Sequence, residues 1–418
     1  MHHDRDLFEL VRRLSPAAYL FCLISLGPLA ACSADEGSST AAVRDSAGVR
    51  IVENTDFAWP NGQGWRLSDA PLLDIGVLEG DSMYQLYQVA GALKLDDGRV
   101  VVANAGSFEL RFYDASGIFL NAVGRQGGGP GEFGGILWLQ SYPGDSLIVY
   151  DWRNRRISFF DDEGNFGRSF QMKFLAKGGG FPIYTGVLTD RSLMVAVQEF
   201  LMSGEMKTEL RRDTVVYLRT KPDGTLTDTL GALPGGEVYT NVDEGRAVAG
   251  VRPFGRYPQQ VVSGSGFYYG SSDAYEIDYY DVKGRLKRII RRAQPLTEIT
   301  AEDIELYKQE QIEDAEQEGA SQMIERLMAT VPFPETMPPY SNFAVDVDDN
   351  LWVADYRRPG DEQPRWTIFD PAGQMLGVVV APERFTIQQI GTDFVLGSWA
   401  DEMDVEHVRL YELIKSEI

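Results

Sequence analysis

Leu147-Ile148-Val149-Tyr150-Asp151-Trp152-Arg153-Asn154-Arg155-Arg156-Ile157-Ser158-Phe159-Phe160-Asp161-Asp162-Glu163-Gly164 is the stretch that decides the fold. Two β-branched and aromatic runs, 147–150 and 157–160, flank a short polar segment, which is strand chemistry on either side of a connection. The second run stops at Asp161-Asp-Glu-Gly164, where an acid and a glycine supply the side-chain acceptor and the positive φ of a tight hairpin. The ending recurs in Arg111-Phe-Tyr-Asp-Ala-Ser-Gly117, Asp278-Tyr-Tyr-Asp-Val-Lys-Gly284 and Thr367-Ile-Phe-Asp-Pro-Ala-Gly373, with a degenerate copy at Tyr217-Leu-Arg-Thr-Lys-Pro-Asp-Gly224. Subtracting the glycine numbers in order gives intervals of 47, 60, 60 and 89 residues. The first interval suits a four-stranded propeller blade, and the longer ones require insertions. Length alone would suggest two or three domains, but an internal repeat overrides that prior.

A second hairpin lies upstream of most of these turns, at Ala92–Val102, Gly186–Val195 and Phe343–Val353, with Asp97-Gly98 and Asp349-Asn350 at two of the tips. Each unit therefore reads as strands a-b, a connection, then c-d, the antiparallel sheet that propellers repeat radially. The five turns and a final Val408-Arg-Leu-Tyr-Glu-Leu-Ile414, preceded by the hairpin 387–399, give six units. The chain ends before the last unit has a fourth strand. Trp65–Ser68 and Pro71–Ile75, near the front, are expected to complete it and close the ring, removing an exposed sheet edge. The fold class is thus all-β: a six-bladed β-propeller of four-stranded antiparallel blades over 49–418, with a helical insertion between blades 4 and 5 at about 300–330. Thr300 is the expected N-cap, followed by Glu302 and Asp303 in the first turn; Gly319 is expected to break the element and Pro332 and Pro334 to end it. The insert is expected to cover the channel mouth.

The 147–161 segment, with the loop Gly124-Arg-Gln-Gly-Gly-Gly-Pro-Gly-Glu-Phe133, resembles the NHL-like six-bladed propellers. The resemblance is specific only across 85–165; Val197–Glu199 and Gly270–Ser272 lack the acid seen at Asp151. It implies a module that binds proteins or other polymers, with a minority of enzymes.

At the amino terminus, Arg12 and Arg13 precede the apolar run 17–26 and then Leu29-Ala30-Ala31-Cys32. A basic segment, a short apolar stretch and small residues read as a secretory signal. Leu29–Cys32 resembles the lipobox of bacterial lipoproteins, which implies a signal over 1–31 and a lipid on Cys32, with 32–48, small and polar, as a flexible tether of roughly 20–25 Å reach. The mature chain is then placed on the cell membrane or outer membrane, in an extracytoplasmic or periplasmic setting. Cleavage would remove Cys22, His2 and His3, leaving His407 as the last histidine. That excludes zinc or copper sites built from several His or Cys ligands, and leaves no cysteine nucleophile. The net charge of −23 repels nucleic acid. A monomer is expected.

Most long connections, 124–135, 198–213, 231–259, 296–341 and 355–365, fall on one face, whereas the opposite face offers tight turns rich in Asp and Gly. Function is expected on the long-loop face. Arg125, Arg153, Arg252, Arg256, Tyr257, Arg357 and Arg358 recur there as candidate ligand-binding residues, since Arg pairs with carboxylate or phosphate bidentately. Asn104, Asp151 and Asp355 end strand b in three units. That pattern looks like six-bladed lactonases and related esterases, where acids and amides hold Ca²⁺. The leading expectation is a membrane-anchored binding or scaffold module for a protein, peptide or carbohydrate, without a cofactor and without catalytic residues. The alternative is a calcium-dependent hydrolase with its site in the channel. The run Gly127–Gly131 lacks the helix and Lys-Ser that a phosphate loop needs.

Overall fold

The computed structural model describes residues 40–60, 63–144, 146–172, 182–198, 207–243, 246–264, 266–318, 321–361 and 363–416. The expected signal, Cys22, Cys32 and positions 33–39 of the expected tether lie outside these residues.

The described residues are mostly β and form six sheets. In chain order, the first sheet holds Val89–Lys94, Val100–Asn104, Glu109–Tyr113 and Phe119–Val123. The second holds Ile136–Tyr142, Ser146–Asp151, Arg156–Asp161 and Phe166–Gln171. The third holds Pro182–Val187, Leu193–Gln198, Glu209–Thr220, Leu226–Asp243 and Arg246–Val251. The fourth is built on Gln259–Ser263, Gly266–Gly270, Glu276–Asp281 and Leu286–Arg292. The fifth is Tyr340–Val345, Leu351–Asp355, Arg365–Phe369 and Met375–Val380. The sixth is Phe385–Ile390, Phe394–Ala400 and Glu406–Lys415.

One side chain explains why the c-d hairpins recur. Asp114, Asp161, Asp281 and Asp370 each accept two backbone N–H bonds through Oδ1, from the residues two and four positions on, at 2.7–3.1 Å. The glycine three positions on takes φ between +70° and +93°. Asp346 and Asp401 repeat the device with an aspartate, Asp349 or Asp404, in the left-handed position.

Apolar clusters join each sheet to the next. Phe112, Phe133 and Leu147 join the first to the second; Tyr150, Tyr184 and Val195 the second to the third; Tyr217 and Phe267 the third to the fourth. Ile290 and Phe343 join the fourth to the fifth, and Trp352, Val395 and Leu413 the fifth to the sixth. Val102, Tyr113, Leu396 and Val408 return from the sixth to the first, so the sheets form a closed, propeller-like ring. Inner strands approach closely where a glycine permits it: a Cβ on Gly186 would press into Val262. Trp65–Leu67 pairs antiparallel with Leu413–Lys415, and Leu73–Ile75 with Val408–Leu410, so front and back of the chain meet in the sixth sheet.

The structure departs from the sequence reading in three places. Ala41–Ser46, expected as tether, is a strand; it turns at Ala47 and Gly48, both with positive φ, into Val49–Asn54. Val49–Asn54 runs parallel to Leu286–Arg292 and extends the fourth sheet to six strands. The segment looks polar because only one edge of the hairpin is buried. Second, much of 209–251, expected as loops on either side of a strand, is paired. Strands of 12 and 18 residues form a hairpin, and Arg246–Val251 adds to it. Gly235 and Gly236, within the span 231–259 expected as a loop, lie where a Cβ would meet the Asp213 carbonyl and the Tyr257 ring.

Third, the insertion forms helices α1, Ala301–Glu318, and α2, Ser321–Thr330, while Gly319 lies outside the described residues. Thr300 and Asp303 make a reciprocal cap: Asp303 N–H donates to Thr300 Oγ1 at 3.2 Å, and Thr300 N–H to Asp303 Oδ2 at 2.7 Å. α2 packs Leu327 and Met328 on Tyr239 and Val248. The insert therefore rests on the extended hairpin of the third sheet, a support not expected from sequence.

Candidate functional site

The cleft of interest opens on the long-loop face between the fourth and fifth sheets. Four separate segments build it: the loop before Glu276–Asp281, residues 294–297, residues 337–339 beyond the helical insert, and the end of Leu351–Asp355 with the loop that follows. Its volume is about 340 Å³, within the usual range of small-ligand sites. Pro295, Met337, Pro338, Pro339, Tyr275 and Tyr356 give apolar walls, and Asp355, Arg358 and Arg365 bring charge.

Asp355 is the chemically distinctive group. Its Oδ1 accepts from Thr367 Oγ1 at 3.1 Å, while Arg292 and Arg365 stand off at 4.0 and 3.8 Å. Burial raises its pKa above the ordinary carboxylate value, outweighing Arg292, Thr367 and Arg365, which pull the other way. Arg292 is held beside the rings of Phe57 and Tyr275, at 5.5 and 5.4 Å. The Tyr275 hydroxyl is buried without a well-formed hydrogen bond among the described residues, and burial pushes its pKa up. Burial likewise raises Tyr356, to about 12. Arg365 is the more available cation, its side chain 59% exposed.

Of the ten residues singled out from sequence for ligand or metal, Asp355 and Arg358 line this cleft. Arg358 donates to Asp303 Oδ1 at 2.7 Å and to the Glu298 carbonyl at 3.0 Å, pinning α1 to the loop. Arg252 and Arg256 act similarly: Arg252 donates to the Pro332 carbonyl, and Arg256 to the carbonyl and hydroxyl of Thr336, while the Glu237 carboxylate faces both. Burial lowers the Arg256 pKa. Tyr257 is half exposed against Gly236. Arg357 donates to the Asp361 carbonyl. Arg125 lies in the loop that leads into the second sheet, where it grips Glu132 at 2.6 Å, and Arg153 lies over Trp152 in the turn between that sheet's middle strands.

The glycine run is also explained locally. Glu132 Oε2 accepts Gly129 N–H at 2.7 Å, so a carboxylate of the loop itself fills the place an anion would take. Arg156 donates to the carbonyls of Gly128 and Glu132 beneath it.

Asn104, Asp151 and Asp355 do not act on one centre. Asp151 accepts N–H bonds from Gly134, Gly135 and Asn154 and one from the Asn154 amide, at 2.6–3.1 Å. Asn104 Oδ1 accepts Tyr87 N–H at 2.7 Å, and its amide donates to Ser107. Both are fully buried ties between a strand end and the neighbouring loop. Among the described residues no three His, Cys, Asp or Glu side chains form a metal-binding group. His407 holds Asp74 at 2.7 Å, which binds Leu73–Ile75 to the last strand.

The opposite face differs from expectation. Its tight turns surround a second cavity, about 780 Å³, at the middle of the ring. Sequence reasoning missed it, and missed Tyr275, Arg365 and the Pro338-Pro339 wall, because each comes from positions far apart in the chain.

No family model matches this chain, and no curated protein matches it. Solved structures with a similar trace include a Bacteroides fragilis protein described as exported, with 12% identity over 88% of this chain and 100% of that one, TM-score 0.47. An aldose sugar dehydrogenase of Streptomyces coelicolor, solved in its PQQ-bound form, gives 14% identity over 85% and 100%, TM-score 0.41. Virginiamycin B lyase from Staphylococcus aureus gives 9% over 84% and 100%, TM-score 0.38. Among the described residues no helix is long and apolar enough to cross a membrane.

Proposed function

We propose that the chain is a lipid-anchored, extracytoplasmic binding module: a six-bladed, NHL-like propeller whose ligand enters the cleft between the fourth and fifth sheets. The observation that carries the reading is the pairing, in one cleft, of a desolvated carboxyl with an exposed, loosely held guanidinium. Asp355 wants a hydrogen-bond donor, Arg365 offers a fork to a carboxylate, and proline and tyrosine walls bury the apolar part between them. A peptide end or small organic acid bearing an amine or hydroxyl has that chemistry. Cys32 is the proposed lipid attachment point, which places a monomer at the membrane, facing away from the cytoplasm. Its acidic surface makes nucleic acid a poor partner.

The purified full chain serves as bait for envelope extracts, and the captured partner is then titrated against variants. Arg365→Ala and Asp355→Asn should each weaken binding about tenfold, the loss of one charge-assisted hydrogen bond. Unchanged affinity in both variants overturns the proposal. The calcium-dependent hydrolase finds no support in Asn104 and Asp151, whose oxygens already bind backbone N–H groups.

A further inference from the structure

We propose that the mouth of the central channel on the tight-turn face is a second binding site, for an uncharged saccharide. The cavity of about 780 Å³ is walled by all six sheets or the turns that end their inner strands: Lys94, Gln140, Val187, Val262, Val347 and Gln389 come one from each in chain order. A site of this shape is as rigid as the ring, since no wall is a free loop.

Its lining suits a sugar. A sugar ring presents hydroxyls that both donate and accept, and C–H faces that lie on flat apolar surfaces. Gln140 Oε1 is buried and accepts no hydrogen bond among the described residues. A buried amide oxygen without a donor is costly, and Gln140 lines the cavity, so a turn of its amide toward the cavity lets a ligand hydroxyl supply the missing donor. Gln389 is fixed by two bonds to the Lys94 backbone, at 2.7 and 3.3 Å, and it ties the sixth sheet to the first. Tyr142 is held by its hydroxyl on the Arg191 carbonyl at 3.2 Å and edge-on to Phe159, so its ring is a set surface against the valine walls.

Charge selects against anions. Asp96, Asp97 and Asp162 line the mouth, against Lys94 alone. The Lys94 ammonium lies 4.5 Å over the Phe394 ring, and Arg99 bridges Asp97 and Asp162 at 2.6 and 3.3 Å. Carboxylates accept sugar hydroxyls well but repel a uronic acid, within a molecule of net charge −23.

The test uses three probes of one ring: glucose, glucosamine and glucuronate, titrated calorimetrically into the purified full chain. Glucose and glucosamine should bind, and glucuronate at least about tenfold more weakly. Gln140→Leu should weaken glucose on the order of tenfold, the worth of a hydrogen bond to a buried acceptor. Thr189→Trp, at an exposed position of the mouth, should block all three probes and leaves the strands untouched should Gln140→Leu fail to fold. Arg365→Ala should leave the sugars unaffected, separating this site from the cleft on the other face. The proposal is overturned if glucose does not bind, if glucuronate binds as well as glucose, or if Thr189→Trp binds like the parent.

Discussion

Replacing Asn54 with alanine should unfold the molecule at markedly lower denaturant. Asn54 is wholly buried at the end of Val49–Asn54. Its amide donates to the carbonyls of Arg291 at 3.2 Å and Gly373 at 3.0 Å, and its Oδ1 accepts Met375 N–H at 2.8 Å. One side chain thus ties the amino-terminal hairpin to the fourth sheet and both to the fifth. Three bonds at a net of about 1 kcal/mol each give roughly 3 kcal/mol, and leaving the Met375 N–H and Gly373 carbonyl unmet in the interior raises the loss to about 3–5 kcal/mol. Urea unfolding at pH 7, followed by tryptophan fluorescence and by circular dichroism, measures it. Asn54→Asp keeps the acceptor for Met375 but turns a carboxylate on two carbonyl oxygens. It should be as damaging at pH 7 and recover toward pH 4, where the protonated acid can donate. Arg44→Ala, which breaks the exposed pair with Glu53 in the same hairpin, should change nothing measurable. A loss below about 1 kcal/mol for Asn54→Ala would refute the idea that this amide anchors the hairpin.

Gly284 sits at φ +70°, where a Cβ would collide with the Leu230 carbonyl of the neighbouring sheet; Gly284→Ala should cost more than about 2 kcal/mol, and Gly360→Ala, at φ +83° in open space, only about 1 kcal/mol. Burial pushes Asp278 up to about 6, from 3.8. The folded state therefore holds this proton more tightly than the unfolded one, and the group's contribution falls as pH rises from about 4 to 6; Asp278→Asn should flatten that part of the stability–pH curve by about 2 kcal/mol, and an unchanged slope counts against it. Cys32→Ser should move the protein from the membrane to the soluble fraction, and retention after a high-salt wash would contradict lipid anchoring. Deleting 63–77 removes both segments paired with Glu406–Lys415 and should lower the thermal midpoint of the whole ring; a midpoint equal to the parent's would show that closure lies elsewhere.

The repeat was legible because its cause is local. Asp161 and Gly164 carry acceptor and positive φ within four residues, and the same few atoms do the same work at Asp114, Asp281 and Asp370. The strand at 41–46 was hidden for the opposite reason. Its pairing partner is adjacent, but what makes the hairpin stay is Asn54 reaching residues 237 and 319 positions away. Gly235 and Gly236 point the same way: a glycine pair signals a loop when read locally, yet here it makes room for the backbone of Asp213 and the ring of Tyr257.

The arginines show why the candidate cleft was only half visible. In so acidic a chain, a cluster of cations beside long insertions suggests an anionic ligand. Here several of those cations hold the insertions themselves: Arg252 takes the Pro332 carbonyl, Arg256 Thr336, Arg358 Asp303 and Arg357 the Asp361 carbonyl. A carbonyl at the end of an irregular segment has no ladder partner, and a guanidinium with five donors is the side chain best able to supply one. The cation left for a ligand is therefore one that begins a regular strand, where the backbone is already paired. Arg365 meets that condition: it opens Arg365–Phe369, its main chain is matched to Val380, and its side chain leans into the cleft with Asp355 as a distant neighbour. On this physical criterion, strand-end arginines facing a half-buried carboxyl, and not loop arginines, are the positions at which substitution should separate binding from stability.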